Sequence, residues 1–156
     1  MIKLKDILLE GKPPSILVPR RMEDRIERMI MLYVKNGSKG DLDLSDLNLT
    51  VLPEILKDIS VDGDFFCGTN NLTSLKNCPK TVGGSFYCGH NKLTSLDGAP
   101  EYVGGSFYCS FNNLKSLTGA PKFVGGVFSC GFNEIKFTEQ QVRAVCNVKG
   151  DIYGAL

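Results

Sequence analysis

Histidine is nearly absent: His90 is the only one in 156 residues, so any His-based triad would have to run through it, and no nucleophile neighbours it. Long apolar runs are missing too. None approaches the roughly 20 residues that cross a bilayer, so no membrane association is expected. Net charge is only +1, which gives no global attraction to nucleic acid or membrane. The paired glycines are not accompanied by a G-x-G-x-x-G or G-K-[ST] phosphate loop. No carboxylate pair recurs in an arrangement suited to acid–base catalysis. The opening segment MIKLKDILLEGK carries acids within its apolar stretch and lacks a small-residue cleavage site, unlike a secretory signal. A reducing cytoplasm is then the expected setting for six cysteines. These absences disfavour an enzyme, and they point to no cofactor.

What the chain does have is repetition. GGSFYC occurs at 83–88 and again at 104–109. Aligned on it, four copies run VDGDFFCGTNNLTSLKNCPKT (61–81), VGGSFYCGHNKLTSLDGAPEY (82–102), VGGSFYCSFNNLKSLTGAPKF (103–123) and VGGVFSCGFNEIKF from 124. Degenerate copies precede them at 42–60 and follow at 148–156. Phe65, Phe86, Phe107 and Phe128 share one position, and Cys67, Cys88, Cys109 and Cys130 another. Asn70, Asn91, Asn112 and Asn133 share a third, followed by Leu72, Leu93, Leu114 and Ile135. A period of about 20–29 residues signals stacked units.

This pattern resembles the leucine-rich repeat, L-x-L-x-x-N-x-L, over residues 40–137 at least. The resemblance implies an α/β repeat: a short leucine-rich-repeat solenoid with a parallel concave sheet of about six strands. Each copy then reads as a short strand, a turn and an extended return. Period-2 alternation sends Phe86 and Cys88 inward and Ser85, Tyr87 and Gly89 outward. The asparagine amide suits bonding to the bending backbone. Proline in the GAP segments fixes an extended return and argues against convex helices in the 21-residue copies.

The division expected is a leader over 1–10, a linker and capping helix over 11–40, repeats over 41–137, and a closing helix with a last strand over 138–156. Met22, Ile26, Met29, Ile30, Tyr33 and Val34 fall on one helical face, and Asn36-Gly37 stops it. Thr138 and Gln141 have capping-box spacing.

Two features invite chemistry. The cysteine ladder suggests zinc at first sight, but parallel side chains about 4.8 Å apart do not converge tetrahedrally and are wide for disulfides. Reduced, buried thiols filling a narrow core are expected, with no metal. The leader offers more. MIKLKDILLE followed by Gly11 is similar to the capsid-targeting leaders of internal head proteins of large tailed bacteriophages. That resemblance implies cleavage by a prohead protease after Leu8-Leu9-Glu10. The repeats, too, look like leucine-rich proteins of those phages.

In the outward column stand Phe66, Tyr87, Tyr108, Ser129 and Tyr153; just past the strand stand Thr69, His90, Phe111 and Phe132. Exposed aromatics clustered on one face mark binding hot spots. The partner-binding residues expected are therefore Phe66, Tyr87, Tyr108, Tyr153, His90, Phe111 and Phe132. The function expected is a non-enzymatic protein-binding module that engages a bacterial host protein, in host takeover or counter-defence. It would act in the host cytoplasm, or be packaged in the phage head. The alternative is a structural virion component that binds another phage protein. Six strands of about five residues give a face of only about 400 Å², against about 800 Å² per partner in a stable interface. A rim, the basic N-terminal helix or self-association would then supplement it. Residues 1–40 hold nine Lys/Arg against five Asp/Glu, and the rest nine against twelve. Acids interleave with Arg20, Arg21, Arg25 and Arg28, as on a solvated helix face, so nucleic acid ranks last.

Overall fold

The computed structural model describes residues 22–155. The expected leader, with Leu8, Glu10 and Gly11, lies outside these residues.

Helix α1 (Met22–Lys35) begins the described chain. Its i, i+4, i+7 residues Ile26, Ile30 and Tyr33 are buried, and Val34 packs partly against them. Met29, expected on that face, is 37% exposed. The helix ends where Gly37 and Ser38 turn left-handed, with Ser38 N–H donating to the Tyr33 carbonyl at 3.1 Å. Tyr33 ties helix to stack: its hydroxyl donates to the Ser38 carbonyl at 2.7 Å and accepts from Asp62 N–H at 3.3 Å.

The rest of the described chain is an α/β fold built on two parallel sheets. The larger has six strands in the order β1 (Leu42–Asp43), β2 (Phe65–Phe66), β4 (Phe86–Tyr87), β6 (Phe107–Tyr108), β8 (Phe128–Ser129), β10 (Ile152–Tyr153). Register places Phe65 beside Phe86, Phe86 beside Phe107, and Phe107 beside Phe128, so each copy lies directly on the next.

The second sheet was not expected from the sequence. It has four strands, β3 (Thr81–Val82), β5 (Tyr102–Val103), β7 (Phe123–Val124) and β9 (Asn147–Val148). The returns are therefore not merely extended: their last two residues pair from copy to copy. Each strand of this sheet leads into a glycine corner. A Cβ on Gly104 would collide with the Gly83 carbonyl oxygen, and one on Gly125 with that of Gly104. The paired glycines are needed because neighbouring backbones touch there.

Between the sheets, Phe65, Phe86, Phe107 and Phe128 form an inward column with ring centroids 5.6, 5.3 and 5.1 Å apart. Columns of Cys, of Leu72, Leu93 and Leu114, and of Val82, Val103 and Val124 complete the core. Burying each such leucine or phenylalanine contributes about 1.5–3 kcal/mol before chain entropy is subtracted.

The first copy carries a 3-10 helix, Glu54–Asp58, on its return, packed against α1. Helix α2 (Glu139–Val145) closes the other end with the expected capping box. Gln141 N–H donates to Thr138 Oγ1 at 3.2 Å, and Thr138 N–H to Gln141 Oε1 at 2.8 Å. Ile135 departs from the pattern. It is 42% exposed, because no further copy covers it, and Phe137 is buried instead.

Candidate functional site

The strands are too short for strong ladders of their own, so side chains hold the copies in register. Asn112 shows the device. Its Nδ2 donates to the Cys88 and Cys109 carbonyls at 3.0 and 3.2 Å, and its Oδ1 accepts from Leu93 N–H at 3.1 Å. Asn91 bonds in the same way to Cys67, Cys88 and Leu72. Asn133 bonds to Cys109, Cys130 and Leu114, and Asn70 to Leu44, Cys67, Leu47 and Leu49. A buried amide satisfied across two copies makes misregister costly.

A second ladder runs along the residue before each inward phenylalanine. Asp41 accepts from Asp64 N–H at 2.8 Å, Asp64 from Ser85 N–H at 2.6 Å, Ser85 from Ser106 N–H at 3.0 Å, and Ser106 from Val127 N–H at 2.9 Å. The signal for it was the Asp or Ser that recurs before the strand.

Cys67, Cys88, Cys109 and Cys130 are buried between these ladders with free thiols, as are Cys78 and Cys146. Three of them donate weakly to the next copy, for example Cys88 Sγ to the Tyr108 carbonyl at 3.4 Å. Burial pushes all six thiols up, Cys130 and Cys146 to about 11, so the neutral form dominates and nucleophilic character is low.

The outward column brings Asp43, Phe66, Tyr87, Tyr108, Ser129 and Tyr153 into one register. Phe66 stacks on Tyr87 at 4.5 Å and Tyr87 on Tyr108 at 4.7 Å, with planes within 9° of parallel. These three are half-buried, and Tyr153 is 57% exposed beyond the Ser129 gap. Burial pushes the Tyr87 phenol up; the Ser85 hydroxyl opposes this, and Tyr108, Asp64 and Asp41 add to it, so Tyr87 stays neutral.

Beside it runs the second column, and here the backbone is unusual. Asp46, Thr69, His90, Phe111 and Phe132 have φ of +55, +52, +54, +58 and +54°. The left-handed region costs an L-residue roughly 1–2 kcal/mol and suits Gly, Asn or Asp. Three of these five positions nonetheless hold aromatic rings. His90 stacks on Phe111 at 4.3 Å and Phe111 on Phe132 at 4.4 Å. His90 and Phe111 are exposed, and Phe132 is 77% exposed. Phe66, Tyr87, Tyr108 and Tyr153 thus share one register of the larger sheet, and His90, Phe111 and Phe132 stack in a column of their own just past its strands.

Fold and face define a repeat-like parallel α/β protein with two stacked aromatic columns on its larger sheet. No family model matches the chain, and no curated protein or solved structure matches it either. Among the described residues, no helix is long and apolar enough to cross a membrane.

Proposed function

We propose that the chain is a non-enzymatic protein-binding module, a short leucine-rich-repeat-type solenoid whose aromatic sheet face grips a partner protein. The observation that carries this is the His90–Phe111–Phe132 column: exposed rings held in left-handed backbone. Folding alone gains little from placing large apolar side chains there, because the position is strained and the rings remain in water. Contact with a partner recovers that burial. Strain kept at a surface is a mark of function.

The resemblance of the leader and repeats to tailed-phage proteins makes a bacterial host protein the favoured partner, in host takeover or counter-defence within the host cytoplasm. The alternative, a packaged virion component, rests on Leu8-Leu9-Glu10. One experiment tests both. The tagged full chain is used to capture partners from infected cells, beside a Tyr87→Ala, Tyr108→Ala double variant. The expected outcome is a host protein retained by the natural chain and lost by the double variant, with circular dichroism unchanged. Unchanged capture by a folded double variant would overturn the aromatic face as the site. Capture of a phage structural protein would favour the alternative.

A further inference from the structure

The sheet face has a charge pattern as well as an aromatic one. Four columns lie along or just beside its strands, those of Ser85, Tyr87, Gly89 and His90, carried from copy to copy by the strand register and the backbone hydrogen bonds that continue it. Every fully charged residue in them is an aspartate: Asp41, Asp64 and Asp151 in the first, Asp43 in the second, Asp46 in the fourth. None is Lys or Arg, although the described chain has many lysines. Lys76, Lys80, Lys92, Lys115, Lys122 and Lys136 all lie on the returns between strands. The four ion pairs among the described residues join Lys or Arg to Glu, and none uses an aspartate of the face. Copies are about 4.8 Å apart, so Asp43 and Asp64 lie within a Debye length of about 8–10 Å of Phe66 and Tyr87.

The ring geometry narrows the choice further. With planes within 9° of parallel, the stacked rings spend their faces on one another and turn their edges outward. Ring faces attract cations and stack on bases, whereas edges carry the positive end of the quadrupole. Single-stranded nucleic acid needs a run of open faces and a cationic groove; here unstacked faces are left only at the column ends and at Tyr153, and the four columns hold no Lys or Arg. A cationic side chain would find its attraction in the carboxylates rather than the rings. Apolar groups would pack on the ring edges.

We infer that the partner segment seated on this face is an extended polypeptide stretch carrying Lys or Arg among apolar side chains. The inference rests on the protein-binding reading and names the chemistry of its partner. The probes are labelled twelve-residue peptides of alternating Lys and Leu, with Gln-for-Lys and Glu-for-Lys counterparts, titrated against the full chain by fluorescence anisotropy. The Lys peptide should bind at least about tenfold more tightly than the Gln peptide, and the Glu peptide more weakly still. Binding should weaken as salt rises from about 50 to about 300 mM. Asp43→Asn with Asp64→Asn keeps an acceptor oxygen at each site but removes the charge, and should cost about tenfold. Tyr87→Ala with Tyr108→Ala should cost as much.

Equal affinity for the Lys and Gln peptides, or no binding by any peptide, would overturn the inference. So would a loss confined to the Asp variant, which would mean generic charge attraction. Sedimentation showing a dimer that the tyrosine variant abolishes would assign the face to a second copy instead. If the cellular partner is lost by the tyrosine variant but kept by the aspartate variant, only the inference about charge fails. If the tyrosine variant keeps it, the protein-binding reading fails with it.

Discussion

Phe111 sets two residue-scale forces against each other. Its left-handed backbone costs roughly 1–2 kcal/mol, while stacking on two neighbouring rings returns about 0.5–1.5 kcal/mol per pair. Asparagine tolerates that backbone, so Phe111→Asn should change stability by less than about 1 kcal/mol in urea unfolding and still lose the captured partner. A loss of more than about 2 kcal/mol would make the column structural, serving the sheet rather than a partner. The thiols give a second expectation, with a sign that can be worked out. Cys130 and Cys146 are pushed by burial to about 11 in the folded chain, against about 8.5 when unfolded. A folded value above the unfolded one means their contribution is complete below about pH 8.5 and is lost as pH rises toward about 11. The urea midpoint should therefore fall between about pH 8 and about pH 10.5, while Ellman's reagent finds the native thiols silent at neutral pH. A midpoint indifferent to alkali would mean the thiols are not buried as described.

Among the elements, the glycine corner makes the sharpest demand. The Gly104 Cα faces the Gly83 carbonyl so closely that one methyl group must push two copies apart. Gly104→Ala should cost about 1–3 kcal/mol by overpacking, whereas Ser110→Ala, at a half-buried position on the sheet face, should cost less. Equal midpoints for the two variants would show that the corner can relax. How far these elements were legible differs from place to place. Phe86 and Cys88 were readable as inward because period 2 leaves one choice, and Asn112 because an amide at a bend has backbone to satisfy. Thr81-Val82 and Tyr102-Val103 were not readable as strands. Two residues carry no periodicity, and the close approach of the copies beside them, where Gly104 has no room for a Cβ against the Gly83 carbonyl, is a tertiary fact. The left-handed turn at His90, Phe111 and Phe132 was hidden for the opposite reason: its usual residues are absent, and only Asp46 in the degenerate first copy keeps one. Ile135 kept the repeat's letter but not its environment, since burial there depends on a following copy.

At the scale of the whole molecule, stability in a stack is a sum of copies and of contacts between nearest neighbours. The described chain meets the conditions for this. Asn91, Asn112 and Asn133 make equivalent bonds, and the strand pairs keep one register throughout. Copies should then be interchangeable, and removing one should shorten the stack without disordering it. Deleting residues 103–123 joins Tyr102 to Val124 and keeps the sequence of the glycine corner intact. Phe128 would take the place of Phe107 beside Phe86, and Asn133 would accept from Leu93 N–H in place of Asn112. The shortened chain should fold, with a lower urea midpoint and an m-value reduced roughly in proportion to the surface lost. It should also bind its partner more weakly, because Tyr108 and Phe111 leave the aromatic columns together. A deletion variant that fails to fold would show that the copies depend on their particular neighbours. One that folds and binds with undiminished affinity would place the contact beyond the aromatic columns.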